Sequence, residues 1–225
     1  MNKIITYLHN YPFFTKIFHT LNYCLKNELK DCQTVLDLGC GPDSPLKYCK
    51  NIKYSVGVEG FEPYLEKSKS NNIHSEYISK NIMELDFPEN SFDAVIMIEV
   101  LEHLPENVGY EIVKKMEKWA KKKIIISSPN GFINQKEVDN NPLQKHLSGW
   151  DYKKMEKLGF KCYGLAGFKF LRQEVQNDTM SNNLLTSIRF KPKAFWFIIA
   201  TLSQIFTYHF SGLAFELFSV KKLKK

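Results

Sequence analysis

Short apolar runs alternate with amphipathic segments through the central part of the chain. The apolar runs have the length of buried strands and cover residues 35–38, 54–59, 74–79, 92–98 and 124–127. Residues 62–70 and 106–122 instead place apolar side chains at helical spacing, with Pro63 in the first turn of the former. Buried strands that alternate with helices predict an α/β fold, in which a doubly wound parallel sheet carries helices on both faces.

The two ends of the chain follow a different pattern. Residues 4–30, which include Ile4 and Leu8, have helical spacing, and Pro12 is expected to divide them into two helices. Residues 151–158 predict a short helix that ends at Gly159. Residues 194–220 contain one formal charge, Glu216, and predict a helix over 193–208 and a strand over 213–220. We therefore expect an N-terminal helical cap (1–31), a ligand-binding core (32–190), and an apolar helical insertion with the final strand (191–225).

Composition narrows the class of protein. The 225 residues are 44% hydrophobic, which suits one domain with a full core. The net charge of +7 is spread over many lysines, and such a diffuse excess does not favour a nucleic-acid partner. Five cysteines without a C-x-x-C pair indicate a reducing compartment, and the N-terminus lacks the pattern of a signal peptide. A cytoplasmic location is expected.

The turn after the first strand has the strongest ligand-binding pattern. Gly39 and Gly41 permit a sharp turn and a close approach of the backbone to a ligand. Ser44 before Pro45 predicts a helix start, whose N-terminus would favour a carboxylate or phosphate. A dinucleotide site would require a third glycine at the position of Ser44, so a nicotinamide oxidoreductase is the weakest alternative.

Two acidic residues at strand ends specify the ligand further. Asp37, two residues before the first glycine, suits an ammonium group better than a diphosphate. Glu59 lies at the tip of the second strand, where an acidic residue accepts hydrogen bonds from a ribose diol. A ligand with an ammonium, a carboxylate and a ribose fits this arrangement, and that ligand is S-adenosylmethionine.

Three motifs in order, VLDLGCG, VGVEG and ENSFDAVIMIEVLEHLP, resemble those of the class I (Rossmann-like) S-adenosylmethionine-dependent methyltransferases of the small-molecule type. The resemblance covers roughly residues 33–170. It implies a Rossmann-like sheet that is mostly parallel with an antiparallel last strand. Residues 162–166 and 213–220 would be the last two strands, in an antiparallel hairpin. It also implies cofactor contacts, taken in order from the methionine moiety through ribose and adenine to the sulfonium: Asp37, Gly39, Cys40 and Gly41; Glu59 and Gly60; Asn81 and Ile82; Glu99 and Val100.

The chain departs from the family pattern at two places. Many relatives have a third glycine near Asp43, and Asn81 stands where an aspartate is common. Asn81 would therefore offer the adenine amino group an amide oxygen. A turn-capping role for Asn81 is the alternative.

The stretch that follows the fourth strand contains a second set of candidate residues. Glu99, Glu102 and His103 can converge if a turn follows the strand, and carboxylates with imidazole suit a divalent metal ion. The stretch resembles the metal site of two O-methyltransferase groups, the ubiquinone-pathway enzymes and the small-RNA 2′-O-methyltransferases. The RNA group has a further histidine after the fifth strand, and His146 occupies a comparable place here. Two metal-free alternatives remain: His103 or His146 acts as a general base or substrate contact, or both are structural.

These patterns predict an enzyme that transfers a methyl group from S-adenosylmethionine to a hydroxyl, or less favourably an amine, of a small or lipid-linked acceptor. The alternatives are an RNA 2′-O-methyltransferase and a catalytically silent scaffold protein that keeps the cofactor pocket. The apolar insertion would serve as a pocket lid, a dimer interface or an in-plane contact on the inner face of the membrane. Arg189, Lys191 and Lys193, with the terminal lysines, would favour an anionic bilayer.

Overall fold

The computed structural model describes residues 11–173 and 185–224, so the helix expected around Ile4 and Leu8 lies outside the described residues. Seven strands form one sheet: β1 Thr34–Leu38, β2 Tyr54–Glu59, β3 Glu76–Ser79, β4 Phe92–Ile98, β5 Ala120–Pro129, β6 Lys161–Phe168 and β7 Ala214–Lys222. Six α-helices accompany them in the described ranges: α1 Pro12–Phe18, α2 Leu21–Glu28, α3 Glu62–Ser70, α4 Glu106–Trp119, α5 Tyr152–Lys157 and α6 Lys193–Thr207.

The sheet has the order β3-β2-β1-β4-β5-β7-β6. Strands β1 to β5 pair in parallel, and β7 runs antiparallel to both β5 and β6. This confirms the predicted fold class, including the antiparallel last strand. The order reverses between β1 and β4, and open α/β sheets bind ligands beyond the carboxyl ends of their strands at such a point. The division into cap, core and insertion stays a prediction.

Two apolar layers cover the faces of the sheet. Leu36 and Leu38 of β1 pack in the layer that contains the buried face of α4, including Ile112 and Trp119. Val35, the alternate residue, packs on the opposite face with Leu25 of α2. This alternation is the period of two expected of a strand covered on both sides. It also places Asp37 on the same face as Val35, at the carboxyl end of β1.

Several element boundaries differ from those predicted. Helix α4 ends at Trp119, not at residue 122, because Ala120 pairs with Phe92 and begins β5. The lysines that follow have good helix propensity, but the buried amine of Lys123 donates to the carboxylate of Asp31 at 2.7 Å, which anchors the strand. Pro12 begins α1, and the residues before it lie outside the described ranges, so the expected break at Pro12 stays a prediction. A further break lies at His19, where φ is 45°.

Helix α6 packs against the edge strand β6 through backbone contacts. A Cβ at Gly164 would lie 2.2 Å from the carbonyl oxygen of Thr207, and one at Gly167 would lie 2.1 Å from that of Ala200. Polar side chains of α6 provide hydrogen-bond partners for backbone amides at this edge of the sheet. Gln204 accepts from the amide of Gly167 at 2.8 Å, and Ser203 accepts from the amide of Phe168 at 3.0 Å. Among the described residues, no helix is long and apolar enough to span a membrane.

The close packing of α6 predicts an unequal cost for two glycine substitutions. Gly159 and Gly167 both have positive φ, at 85° and 75°, but a Cβ at Gly159 meets only the flexible end of Lys221. Gly159→Ala should therefore cost about 1–2 kcal/mol in free energy of unfolding, from backbone strain alone. Gly167→Ala should cost about 3 kcal/mol or more, since the new methyl group also displaces α6. Urea unfolding followed by circular dichroism measures both, and equal costs would contradict this packing.

Candidate active site

The turns at the carboxyl edge of the sheet enclose a cleft of about 490 Å³. Its lining contains all ten residues predicted to contact the cofactor, and also His103: Asp37, Gly39, Cys40, Gly41, Glu59, Gly60, Asn81, Ile82, Glu99 and Val100. Leu143 and Gln144, which the sequence did not single out, close one side of the cleft. A second cleft of about 580 Å³ is lined instead by residues of 43–55 and 71–75.

The turn after β1 depends on two glycines in the left-handed region, with φ of 67° at Gly39 and 57° at Gly41. A Cβ at Gly39 would lie 2.5 Å from Cγ2 of Val100, whereas one at Gly41 would meet open space. Cys40 between them is buried, and its sulfur approaches the Ser68 hydroxyl of α3 at 3.9 Å. The backbone of this turn, rather than the Cys40 side chain, therefore borders the cleft.

Asp37 is buried beneath this turn and already has protein partners. Its Oδ2 accepts from the Ser44 hydroxyl at 2.5 Å and lies 2.9 Å from Nε2 of His74. Gly57 makes room for the imidazole, since a Cβ there would lie 2.9 Å from the His74 ring. The predicted ammonium contact would thus come from a carboxylate that His74 and Ser44 hold in place. His74 was missed because no local pattern links it to a residue 37 positions away.

The helix expected after Ser44 is shorter than predicted. Ser44 does cap it, accepting from the amide of Leu46 at 3.1 Å, and Pro45 is its first residue. It is a 3₁₀ helix of four residues, Pro45–Tyr48. So short a helix has little macrodipole, and it gives no support to the predicted anion site at its N-terminus.

Glu59 ends β2 with its carboxylate oriented by backbone amides. Oε2 accepts from Gly41 at 3.0 Å, and Oε1 accepts from Phe61 at 2.9 Å. Burial raises the pKa of this carboxyl above its ordinary value, although the amide hydrogen bonds oppose that shift. Each oxygen keeps a second lone pair, so the oriented carboxylate can still accept from two hydroxyl groups. Gly60 beside it lets Leu143 approach the end of the strand.

Asn81 and Ile82 follow β3, as predicted, and line the cleft. The Asn81 side chain accepts from the amide of Met83 at 2.9 Å and caps a 3₁₀ helix, Ile82–Glu84. Ile82 is buried and presents an apolar surface. Asn81 therefore performs the turn-capping role that was its alternative, and its amide oxygen retains one lone pair for a ligand.

Three of the four predicted metal ligands converge beside the cleft. Ligand atoms of Glu102, His103 and His146 all lie within 4.8 Å of one another. The carbonyl of Glu102 accepts from the amides of Leu147 and Ser148, at 2.8 and 3.0 Å, and this brings the loop with His146 against the 3₁₀ helix Leu101–His103. Glu99, the fourth predicted ligand, is not part of this group. Its Oε1 instead accepts from the Ser127 hydroxyl at 2.6 Å.

The protonation of these groups follows from their burial. Burial raises the pKa of Glu99 to about 8. Burial also raises the pKa of Glu102 well above its ordinary value, and charge repulsion from Glu99 adds to that shift. Burial also lowers the pKa of His103 to about 4 and lowers that of His146. Both imidazoles are therefore neutral near pH 7. Oε2 of Glu102 is buried without a hydrogen-bond partner among the described residues.

The neutral histidines have a defined tautomer. Nδ1 of His146 lies 2.6 Å from the carbonyl oxygen of Ile133, and Nδ1 of His103 lies 3.2 Å from that of Lys145. A nitrogen beside a carbonyl oxygen must carry the hydrogen, so Nε2 of each ring has a free lone pair. That lone pair can accept a proton or bind a metal ion.

Two further charged residues stand behind Glu99 and were not predicted to belong to the site. Glu216 of β7 contributes to the raised pKa of Glu99 through charge repulsion. Burial raises the pKa of Glu216 itself, and the positive charge of Arg172 opposes that shift. In the sequence, Glu216 is only a single charge within the apolar tail. Its pairing with β5, opposite Pro129, brings it to this edge of the sheet.

Comparisons with known proteins show what the chain is similar to. Residues 36–127 match a family model described as a methyltransferase domain. Cycloartenol-C-24-methyltransferase of Arabidopsis thaliana is 35% identical over 85 residues, which are 34% of this chain and 25% of that protein. Sterol 24-C-methyltransferase ERG6B of Gibberella zeae is 30% identical over 172 residues, 65% of this chain and 42% of that protein. The chain thus spans less than half the length of these relatives.

Solved structures share the fold at low identity. A SAM-dependent methyltransferase from Archaeoglobus fulgidus superposes with a TM-score of 0.54 at 18% identity, covering 95% of this chain and 100% of that one. The methyltransferase domain of a bacterial CtHen1 gives 0.52 at 19% identity, covering 90% and 97%. With the matched domain and the sheet order, these findings show that the chain is similar to S-adenosylmethionine-dependent methyltransferases and shares their fold.

The buried contact between His74 and Asp37 generates a prediction about stability. His74→Ala leaves the Asp37 carboxylate buried with one partner fewer, so it should lower the free energy of unfolding by about 3 kcal/mol. His209→Ala, at an exposed position, is the matched control and should change it by less than about 0.5 kcal/mol. Urea unfolding at pH 7 measures both variants. Equal stability of the two would show that His74 does not support Asp37.

Proposed function

We propose that this protein transfers the methyl group of S-adenosylmethionine to a hydroxyl group of a small or lipid-linked acceptor. One observation carries the proposal: ten residues chosen as cofactor contacts from separate parts of the sequence line a single cleft, with the Glu59 carboxylate oriented at the end of β2. A cleft of about 490 Å³ is within the range of small-molecule sites.

In this proposal each turn contacts one part of the cofactor. The Gly39–Gly41 turn packs on the methionine moiety, and the buried Asp37 carboxylate attracts its ammonium group. Glu59 accepts hydrogen bonds from the two ribose hydroxyls, while Ile82 packs on the adenine and Asn81 contacts its amino group. Glu99 and Val100 adjoin the sulfonium. The negative charge of Asp37 would attract the cationic ammonium group of the ligand, which a neutral pocket would not.

Methyl transfer requires few catalytic groups. The acceptor oxygen attacks the methyl carbon in line with the carbon–sulfur bond, which breaks and leaves S-adenosylhomocysteine with both bonding electrons. The acceptor proton must then leave, and Nε2 of His103 or His146 is the base that the tautomers make available. Positioning of the two reactants and exclusion of water supply most of the rate, and the base assists the deprotonation.

A divalent metal ion is a second candidate for activating the acceptor. The residues fit such an ion: Glu102 has a buried oxygen without a partner among the described residues, and His103 and His146 have free Nε2 lone pairs. The carbonyls that accept from Nδ1 are the outer contacts typical of metal-binding histidines. A bound ion would lower the pKa of the acceptor hydroxyl. Glu99 would then support the site rather than bind the ion.

The proposed class of acceptor has weaker support than the proposed cofactor. Two curated relatives are named for sterol or cycloartenol methylation, which favours an apolar or lipid-linked acceptor here. Methylation of RNA 2′-hydroxyls is the alternative, and it would require binding that weakens steeply with salt. A silent scaffold would keep cofactor binding without turnover. The five free cysteines suit a cytoplasmic location.

Glu59 gives the most direct test of cofactor binding. Glu59→Ala should weaken S-adenosylhomocysteine binding by about 2–4 kcal/mol, because two hydrogen bonds to a charged acceptor are lost. Glu89→Ala, an exposed acid outside the cleft, is the control and should leave the affinity unchanged. Isothermal titration calorimetry measures both, with NAD as a ligand that should not bind. Binding of NAD alone would overturn the proposal, and an unchanged affinity in Glu59→Ala would move the ribose contact elsewhere.

Chelation distinguishes the two ways of activating the acceptor. If Glu102, His103 and His146 hold a metal ion, methyl transfer should cease with EDTA and return with Mg²⁺ or Mn²⁺, and Glu102→Gln should abolish the return. Methyl transfer from radiolabelled S-adenosylmethionine measures this. Activity that resists EDTA but falls in His103→Ala or His146→Ala would assign the histidines the role of base.

A further inference from the structure

Helix α6 has an inverted polarity for a helix at a protein surface. Its polar residues Ser203, Gln204 and Thr207 are buried against β6. Its large apolar residues face outward at positions i, i+3, i+7, i+10 and i+11, each about half exposed: Phe195, Ile198, Leu202, Ile205 and Phe206. Surface helices usually direct the apolar stripe to the core and the polar face to water. Here the edge of the sheet requires hydrogen bonds, which the polar face provides, and none of the described residues covers the apolar face.

The uncovered apolar face extends beyond α6. Phe210 and Leu213 continue it, and Phe210 stacks on Phe206 with ring centroids 4.2 Å apart. Phe13 and Ile17 are exposed on α1, which packs beside α6. We call the exposed side chains of these two helices and of residues 210–213 the outer apolar face. So many exposed large apolar groups on one side exceed the single scattered ones that are normal for a surface.

Along the described residues 185–213, which include α6, the charges all have one sign. From residue 185 to residue 213 the sequence contains no carboxylate, and its charged side chains are Arg189, Lys191 and Lys193. Lys16 adds a further positive charge on α1. Of the terminal lysines, Lys222 lies at the opposite end of β7 from Ala214, where it pairs with Lys123, so it does not belong to this set.

We infer that the outer apolar face docks in the plane of an anionic lipid bilayer. The outward aromatic and aliphatic side chains would insert at the boundary of the acyl chains. The flanking cations would contact the anionic headgroups. A span is not involved, since α6 has 15 residues and measures roughly 22 Å against a hydrocarbon core of roughly 30 Å. The inference goes beyond the proposed methyl transfer and does not depend on it.

Docking in this orientation places the candidate active site near the lipid. The loop that carries Phe210 and Leu213 is anchored to the carboxyl end of β5, where the side-chain amide of Asn130 donates to the carbonyls of Ser211 and Ala214, at 3.0 and 2.9 Å. The cofactor cleft opens at the same edge of the sheet. A lipid-linked acceptor could therefore reach the cleft while the enzyme remains docked.

Flotation of the purified full chain with vesicles tests the apolar contact. The wild type should float with phosphatidylcholine–phosphatidylglycerol vesicles and bind pure phosphatidylcholine at least tenfold more weakly. Phe195→Ser with Leu202→Ser should lower the partition coefficient at least tenfold. Phe132→Ser with Leu147→Ser removes the same two side-chain types at equally exposed positions outside the face and should have no effect. Circular dichroism confirms that both pairs fold.

Two further comparisons test the charge and the occupant. Arg189→Gln with Lys191→Gln should reduce the preference for anionic vesicles, whereas Lys50→Gln with Lys53→Gln should not. A wild type that stays soluble at low salt with anionic vesicles would overturn the inference, as would equal flotation of the two serine pairs. A dimer in sedimentation that Phe195→Ser with Leu202→Ser dissociates would also overturn it, because the face would then join two copies of the chain. Calorimetry with S-adenosylhomocysteine reports separately on the proposed function.

Discussion

The close approach of two turns at the carboxyl edge of the sheet is the constraint on which the candidate site depends. Strands β1 and β4 are neighbours, so the turns that follow them compete for the same space. Gly39 resolves this competition, since a Cβ there would lie 2.5 Å from Val100. The absence of a side chain lets one turn bend across the other with a positive φ. Residues of both turns line the cleft.

Buried polar contacts make this arrangement rigid before any ligand arrives. Asp37 is held by Ser44 and His74 below the turn, and Glu59 joins the amide of Gly41 to the end of β2. Each carboxylate is thereby oriented without a ligand. Preorganised groups lose little conformational freedom on binding, which favours affinity and geometric precision. In the proposed function, the same rigidity would fix the sulfonium relative to the candidate bases His103 and His146.

The sequence predicted elements well where local pattern and tertiary structure agree. Strands β2 and β4 have the predicted bounds, because their apolar runs end at turn residues. The prediction failed where a residue distant in sequence determines the local structure. Residues 120–122 favour a helix locally, but pairing with β4 makes them a strand. His74 was missed for the same reason, since its role depends on Asp37 across the sheet. Helix α6 turns its polar face inward because the edge strand β6 needs hydrogen-bond partners, and its apolar face therefore points outward. The spacing of residues along the helix does not reveal this orientation.

The most direct test of the central claim is a crystal structure of the protein with S-adenosylhomocysteine. We expect the ribose hydroxyls at about 2.6–3.0 Å from the Glu59 carboxylate, with the Gly41 and Phe61 amides still donating to it. The methionine moiety should lie on the Gly39–Gly41 turn, and the sulfur should face His103. A ligand bound in another cleft, or a ribose that contacts residues other than Glu59, would contradict the account.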